Sequence, residues 1–416
     1  MTGPSDRDLV RLLNRLVLLA LLSLSLSCAL PGQRKADPTR PTAQATAQAV
    51  DSSGGDGAQQ SEGTKPRSSS RPPGGHPGPT PVPRPLAAGL KSELVADSVQ
   101  LPANLVFAPD GRLFFTEVSL GQVRIVDRGA LQPEPFVQLE VAQRNEMGLL
   151  GLALDPDFVR TRYVYLFYSQ AKDDKPWRNR VVRFTDVGGR GMDMQVVLDD
   201  LPIADWRFNA GHNGGRLAFG PDGKLYVTVG DVGVKKLAQD MTKLGGKLLR
   251  INSDGSIPAD NPILGSAVYA SGLRNAWGLT FHPLTGVPYV TENGDVGHDE
   301  INRIERGGNY GSPGVQGIAH DPRFIDPLWE TNAEGGGISG LTFYTGDLFH
   351  EYKNDLLFCI WNGGRLTRLH LGGPAYDQVL QEEVLSDQCF LDVTTGPDGA
   401  IYIGAVNKVL RLVPDR

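Results

Sequence analysis

The stretch HNGGRLAFGPDGKLYVTVGD (212–231) reads as a β-hairpin whose open end joins two residues able to do chemistry. A four-residue turn over Gly220–Gly223 with uninterrupted antiparallel pairing sets Phe219 opposite Lys224, Leu217 opposite Tyr226, Gly215 opposite Thr228 and His212 opposite Asp231. Opposed Cβ atoms lie about 5 Å apart. An aspartate at that distance orients one imidazole nitrogen and stabilises the imidazolium, which leaves the other nitrogen to act as a general base. Asn213, Gly214 and Gly215 would let a substrate approach the backbone beside it. The competing reading is a structural His–Asp pair that closes the hairpin end, and a bulge in the hairpin would undo the register.

A second segment, TENGDVGHDEINRIERGGNYGSP (291–313), carries Glu292, Asp295, Asp299 and Glu300, with Gly294 and Gly297 between them. Closely spaced carboxylates with exposed carbonyls suit Ca²⁺, which takes six to eight hard oxygens in a flexible cage. The spacing is not that of an EF-hand, and a solvated acidic loop is the alternative. His298 among the oxygens hints at a different metal. Just upstream, SGLRNAWGLTF (271–281) sets Arg274 beside Asn275. The arginine fork suits a carboxylate or quinone oxygen.

These segments need a scaffold, and a repeat supplies it. Pro-Asp-Gly or a variant, followed by an alternating strand, recurs in APDGRLFFTEV (108–118), DPDFVRTRYVYLFYS (155–169), GPDGKLYVTVGD (220–231), HPLTGVPYVTENG (282–294) and GPDGAIYIGAV (396–406), with a weaker copy in YKNDLLFCIW (352–361). Proline presets φ, aspartate caps the turn and glycine accepts φ > 0. The residues that follow are β-branched and aromatic, as strands prefer. Six copies at this period predict an all-β chain, a six-bladed β-propeller of four-stranded antiparallel blades over 87–416. A β-sandwich would not repeat one motif six times. In a propeller the blade-edge loops converge on a central funnel, where ligands sit.

The chain has 416 residues, 21% of them charged, with a net charge of -6, and no basic stripe that would suit nucleic acid. Residues 1–30 read as an export signal: Arg7, Arg11 and Arg15, then an apolar run from Leu16 to Ser27 that is too short to span a bilayer. Cys28 stands where a lipoprotein cysteine would, but Ser25 replaces the usual leucine three residues earlier, so lipidation stays open. Residues 31–86 are a Pro/Gly/Ser/Thr-rich tether with almost no large apolar side chain, expected to be disordered. The expectation is an exported protein, periplasmic or extracellular, with Cys28 as a candidate membrane anchor. The three cysteines form no CxxC, which argues against a zinc ribbon or redox motif.

EMGLLGLALDPDF (146–158), HNGGRLAFGPDGKLYVTVGD (212–231), GLRNAWGLTFHP (272–283), DEINRIERGGNYG (299–311) and DVTTGPDGAIYIG (392–404) stand in an order that resembles the glucose/sorbosone dehydrogenase family, the soluble quinoprotein sugar dehydrogenases. The resemblance covers about residues 90–416. It implies a six-bladed propeller that holds pyrroloquinoline quinone (PQQ) over its funnel and oxidises an aldose, passing electrons to an external acceptor. By motif, His212 would be the base and Asp231 its orienting partner. Glu146, Arg274 and Asn275 would contact the cofactor. Gly294 and Asp295 would offer carbonyls to a Ca²⁺ that bridges to PQQ. Asp299 lies in the same loop, and Glu300 and the Tyr310 carbonyl match a second, structural Ca²⁺.

The resemblance also marks departures. Cys389 and Leu391 stand where the glucose dehydrogenases bring two arginines into the funnel, and Asn362 stands where the family has a lysine. In LWETNAEGGGISG (328–340) only Trp329 matches the usual aromatic wall. A trianion deprived of such partners loses bonds that contribute about 1.5–3 kcal/mol each. Cys359 and Cys389 fall on segments that would be neighbours, either as a disulfide or as two buried thiols. Three functional readings follow: a PQQ- and Ca²⁺-dependent sugar dehydrogenase, a non-catalytic exported propeller that binds a glycan or protein, and an enzyme on the same scaffold with a less charged cofactor.

Overall fold

The structure is a computed structural model that describes residues 86–173, 175–205, 207, 211–331 and 335–415. The export signal, Cys28 and nearly all of the tether lie outside the described residues.

Six antiparallel sheets are arranged as the blades of a β-propeller. Their inner strands are Pro102–Phe107, Leu149–Leu154, Gly214–Phe219, Ala276–Phe281, Ile338–Phe343 and Val393–Thr395, which define blades one to six. Each inner strand packs against that of the next blade, and the sixth returns to the first. The ring is closed by chain termini. Leu90–Asp97, near the start of the described chain, pairs with Lys408–Pro414 at its end and becomes the outer strand of blade six.

The Pro-Asp-Gly repeat forms the turn between the first and second strands of its blades: Gly220 N donates to Lys224 O and Gly396 N to Ala400 O. The turns also do a second job. A tyrosine on the second strand donates to the turn aspartate, Tyr226 to Asp222 and Tyr402 to Asp398, both at 3.0 Å. Its ring then meets, edge to face, a phenylalanine on the first strand of the next blade. Tyr165–Phe219, Tyr226–Phe281, Tyr289–Phe343 and Tyr402–Phe107 have centroids 4.8–5.1 Å apart. Each such pair contributes about 0.5–1.5 kcal/mol beyond area burial. The repeat therefore welds blade to blade, on the face away from the candidate site.

At the other end of the barrel the strand entries and the loops between second and third strands converge. There, the inner strands of blades one to five shift register against their neighbours. Threonine hydroxyls hold several of these bulges: Thr228 Oγ1 accepts from Gly215 N and Arg216 N, and Thr291 Oγ1 accepts from Gly278 N.

Cys359 and Cys389 form a disulfide, Cα to Cα 5.3 Å, which resolves the two alternatives. It joins the second strand of blade five to the loop entering blade six. Beside it, Gly340 N donates to Leu391 O, and Ser339 Oγ to Phe390 O.

Candidate active site

The blade-three hairpin differs from its predicted pairing in two ways that cancel. Its turn is one residue longer, so Phe219 pairs with Leu225, Ala218 with Tyr226 and Leu217 with Val227. The bulge at Gly215–Arg216 then takes up one residue, and Gly214 returns to Val229. His212 and Asp231 thus regain the register that an unbroken ladder would have given them. His212 Nδ1 lies 2.7 Å from Asp231 Oδ1. Glycines make the closure passable: a Cβ on Gly230 would lie 2.0 Å from His212 O, and one on Gly215, at φ +105°, would strike Leu150 and Phe167.

Asp231 is fully buried and His212 nearly so, at 13% side-chain exposure. Asp231 Oδ1 also accepts from Gly233 N at 2.8 Å, whereas its Oδ2 is buried without a partner among the described residues. His212 Nε2 has no hydrogen-bond partner among the described residues, so the imidazole is anchored at one nitrogen and open at the other.

Glu146, from the loop entering blade two, ties three blades together. Its Oε2 accepts from His212 N at 2.7 Å and from Asn275 Nδ2 at 2.9 Å. Asn275 Oδ1 is left buried and unpartnered among the described residues. Arg274 N donates to Glu292 Oε1 at 2.6 Å, and its guanidinium to Asn293 O at 2.8 Å and Asp295 Oδ1 at 3.2 Å. Lys235 makes an ion pair with the same Asp295. Both basic groups on the blade-three side of the funnel are therefore partly neutralised by Asp295. The loop that carries Asp231 and Lys235 is held from beneath by Lys247. This fully buried ammonium donates to Leu237 O, Ala238 O and Gly245 O at 2.6, 3.0 and 2.9 Å. Burial pushes its pKa down to about 8.

The acidic segment divides by role. Asp299 Oδ1 accepts from Gly294 N at 3.0 Å, and Oδ2 from Gly336 N and Gly337 N, both at 2.7 Å. Its oxygens are spent on backbone amides that fix two loops, which leaves them poorly placed to hold a metal. Glu300 pairs across the strands with Glu292, which the sequence reading grouped among the candidate Ca²⁺ carboxylates but did not pair with it. Both carboxyls are buried, Glu300 at 7% and Glu292 at 4% exposure, and among the described residues neither makes a salt bridge; Glu300 accepts from Gly317 N at 2.6 Å and Asn302 Nδ2 at 3.1 Å, and Glu292 from Arg274 N at 2.6 Å. Burial pushes the pKa of both upward, and for Glu292 the neighbouring Glu300 adds to the shift. They line a cavity of about 20 Å³ with Gly294, Asp295, Tyr310 and Ser312. That volume holds one water or ion. The carbonyls of Gly294, Asp295 and Tyr310 accept no hydrogen bond among the described residues. Two buried carboxylates without an ion-pair partner among the described residues, facing free carbonyls, fit a divalent cation. Alternation along Pro288–Glu292 and Glu300–Arg303 was the signal that could have paired Glu292 with Glu300.

On blades five and six, Asn362 is exposed in the turn after Leu356–Ile360, and its N donates to Gly336 O. Cys389 is sealed in the disulfide, and Leu391 packs partly buried against the core.

A model of the family described as Glucose / Sorbosone dehydrogenase matches residues 99–413. An aldose sugar dehydrogenase of Escherichia coli (strain K12) is 29% identical over 339 residues, 76% of this chain and 90% of that protein. The crystal structure of a putative oxidoreductase (glucose dehydrogenase) from Thermus thermophilus superposes with a TM-score of 0.70 at 38% identity, covering 78% of this chain and 100% of that one. The PQQ-bound form of an aldose sugar dehydrogenase from Streptomyces coelicolor superposes with a TM-score of 0.65 at 26% identity, over 79% of this chain and 99% of that one.

Proposed function

Because the chain belongs to the Glucose / Sorbosone dehydrogenase family, we propose that it is a PQQ-dependent oxidoreductase that oxidises the hydroxyl of an aldose sugar. The observation that carries the reading is the His212–Asp231 pair, with one imidazole nitrogen fixed at 2.7 Å and the other open. When bound, PQQ supplies the two-electron acceptor that takes hydride from the sugar carbon. Every other part falls to side chains of this protein. His212 Nε2 takes the hydroxyl proton. Asp231 holds the imidazole in the tautomer that leaves Nε2 free and stabilises the imidazolium that results. Glu146 fixes the His212 backbone and aims Asn275. Arg274, whose Nε has no partner among the described residues, would donate to the cofactor's oxygens, and Asn275 would add the second N–H of its Nδ2.

Calcium is the second part of the proposal. Glu292, Glu300 and the Tyr310 carbonyl would hold one ion, and the Gly294 and Asp295 carbonyls would turn toward another that faces the cofactor. Export is the third part. A disulfide between blades five and six suits an oxidising compartment such as the periplasm or the exterior. An external acceptor would then collect the electrons.

A second reading, a non-catalytic propeller that binds a glycan or protein, is favoured by Cys389, Leu391 and Asn362 at positions where the family brings cations. One experiment separates the two. The full chain is titrated with PQQ and Ca²⁺ by calorimetry, and dye reduction by a panel of aldoses is followed on the same sample, with His212→Ala beside it. The enzyme reading expects tight PQQ binding and sugar-dependent reduction that falls by about 10²–10⁴-fold in the variant. A folded protein that binds no PQQ would overturn it and leave the binding module.

A further inference from the structure

The side of the funnel where cations are missing is not inert. Arg365 opens the third strand of blade five, paired across the hairpin with Ile360. It is half-buried, and among the described residues its guanidinium forms no hydrogen bond and no salt bridge. Most other half-buried or buried arginines in the fold are engaged: Arg112, Arg124, Arg216, Arg250 and Arg368 each bond a carboxylate. Removing a guanidinium from water without a partner costs free energy, and such groups are normally paired. An unpaired one at the ligand end of a funnel points to a ligand.

Its surroundings narrow the ligand. A Cβ on Gly336 would lie 3.8 Å from the Arg365 guanidinium, and Gly336 O accepts from Asn362 N, so Arg365 sits at the loop entering blade five. On the adjoining turn, Trp361 meets Phe390 of blade six edge to face at 5.7 Å, and both rings are partly exposed. A Cβ on Gly364 would strike Phe390, and one on Gly337 would touch Trp361, so glycines open the space these rings occupy. Gln388, two residues before Phe390, keeps a buried side-chain oxygen without a partner among the described residues. Among the described residues, no carboxylate of the surrounding loops neutralises Arg365. Asp299 is within reach of Gly336 but is held by the amides of residues 336–338, and neither it nor Asp387 is at ion-pair distance from Arg365.

We propose that Arg365, flanked by Trp361 and Phe390, is a subsite for a carboxylate carried on a ring. The guanidinium fork takes the carboxylate, the aromatic edges take the ring face, and an unpaired amide remains for a hydroxyl. The carboxylate has two sources. It belongs to the quinone cofactor, with Arg365 serving three residues after the vacant lysine position at Asn362, or it belongs to an acidic sugar. The first source rests on the function proposed above, whereas the second does not.

The test uses the full chain with Ca²⁺, as wild type, R365Q and R365K. Near-UV circular dichroism checks each fold, and the conservative lysine covers the case in which R365Q fails to fold. PQQ is titrated by fluorescence quenching, and D-glucuronate and D-glucose by calorimetry. Loss of a charge-assisted bond weakens binding by about tenfold or more. Weaker PQQ binding with unchanged glucuronate binding assigns the subsite to the cofactor. Weaker glucuronate binding, with glucose and PQQ unchanged, assigns it to an acidic sugar. Unchanged binding of both in a folded variant overturns the subsite. If the wild type binds no PQQ, the dehydrogenase reading fails by itself. The glucuronate arm then decides alone: binding that R365Q loses upholds the subsite, and no binding overturns it.

Discussion

Asp231 meets the imidazole with one oxygen only. Its Oδ1 serves both His212 and Gly233 N, while Oδ2 is buried with no donor among the described residues. An aspartate held this way contributes charge as well as geometry, and Asp231→Asn separates the two. The asparagine oxygen can still accept from Nδ1, but the imidazolium loses its counter-charge and the new amide nitrogen is buried without an acceptor. We expect kcat to fall by roughly 10²-fold or more with little change in KM, and stability to fall by about 1–3 kcal/mol. Steady-state kinetics and thermal unfolding of the variant check both. An unchanged kcat would mean that the pair only closes the hairpin. At the same scale, residue type was the readable signal. His212, Asp231 and Arg274 announce chemistry by what they are. Glu146 does not, because a glutamate's use depends on what it faces.

Among the elements, the strand pair Pro288–Glu292 and Glu300–Arg303 presents the clearest imbalance of charge. It faces two buried carboxylates toward each other across a space fit for one ion. A bound divalent cation would offset a cost that the cation-free protein bears as raised pKa values. Chelation should therefore lower the Tm of the wild type, and Ca²⁺ should restore it. In Glu300→Gln the response to Ca²⁺ should largely vanish, as read by differential scanning fluorimetry with and without a chelator. A Ca²⁺ response that survives in the variant would move the ion elsewhere. The hairpin of blade three is the second instructive element. Strand and turn chemistry predicted its two strands, but not the fifth turn residue or the compensating bulge. The bulge depends on Thr228 Oγ1 reaching two amides and on Gly215 clearing Leu150 and Phe167 of the neighbouring blade. Those are contacts between blades, which pairing rules within one hairpin do not contain.

For the whole molecule, closure is the central problem, because a propeller left open would expose two sheet faces. Two devices handle it. The strand Leu90–Asp97 completes blade six by pairing with Lys408–Pro414, and the Cys359–Cys389 bond ties blade five to the loop that leads into blade six. The disulfide closes a loop of 30 residues, which constrains the unfolded chain by about 3–4 kcal/mol in the chain-entropy account. Replacing both cysteines by serine should lower the stability read in guanidinium melts by about that amount, and a reductant should have no further effect on the variant. An arginine crossing the channel works toward the same end: Arg216 of blade three bonds Asp392 of blade six at 2.8 Å and Asn104 of blade one at 3.1 Å.

What the sequence determined by itself was everything that repeats or is local: six turns of one chemistry, strands of one period, and the residue types clustered in 212–231, 271–281 and 291–313. Such features are set within about a dozen residues, where turn preferences and side-chain alternation act. Only the tertiary structure decided which side chains are spent and which are free. Asp299 and Arg365 look equally available in the sequence, yet one is saturated by amides of a loop nearly 40 residues away and the other is left unpaired. The difference arises because hydrogen bonds within the funnel join blades that are distant in sequence. The register of each blade and its contacts with the next fix those bonds, and no short stretch of chain encodes them.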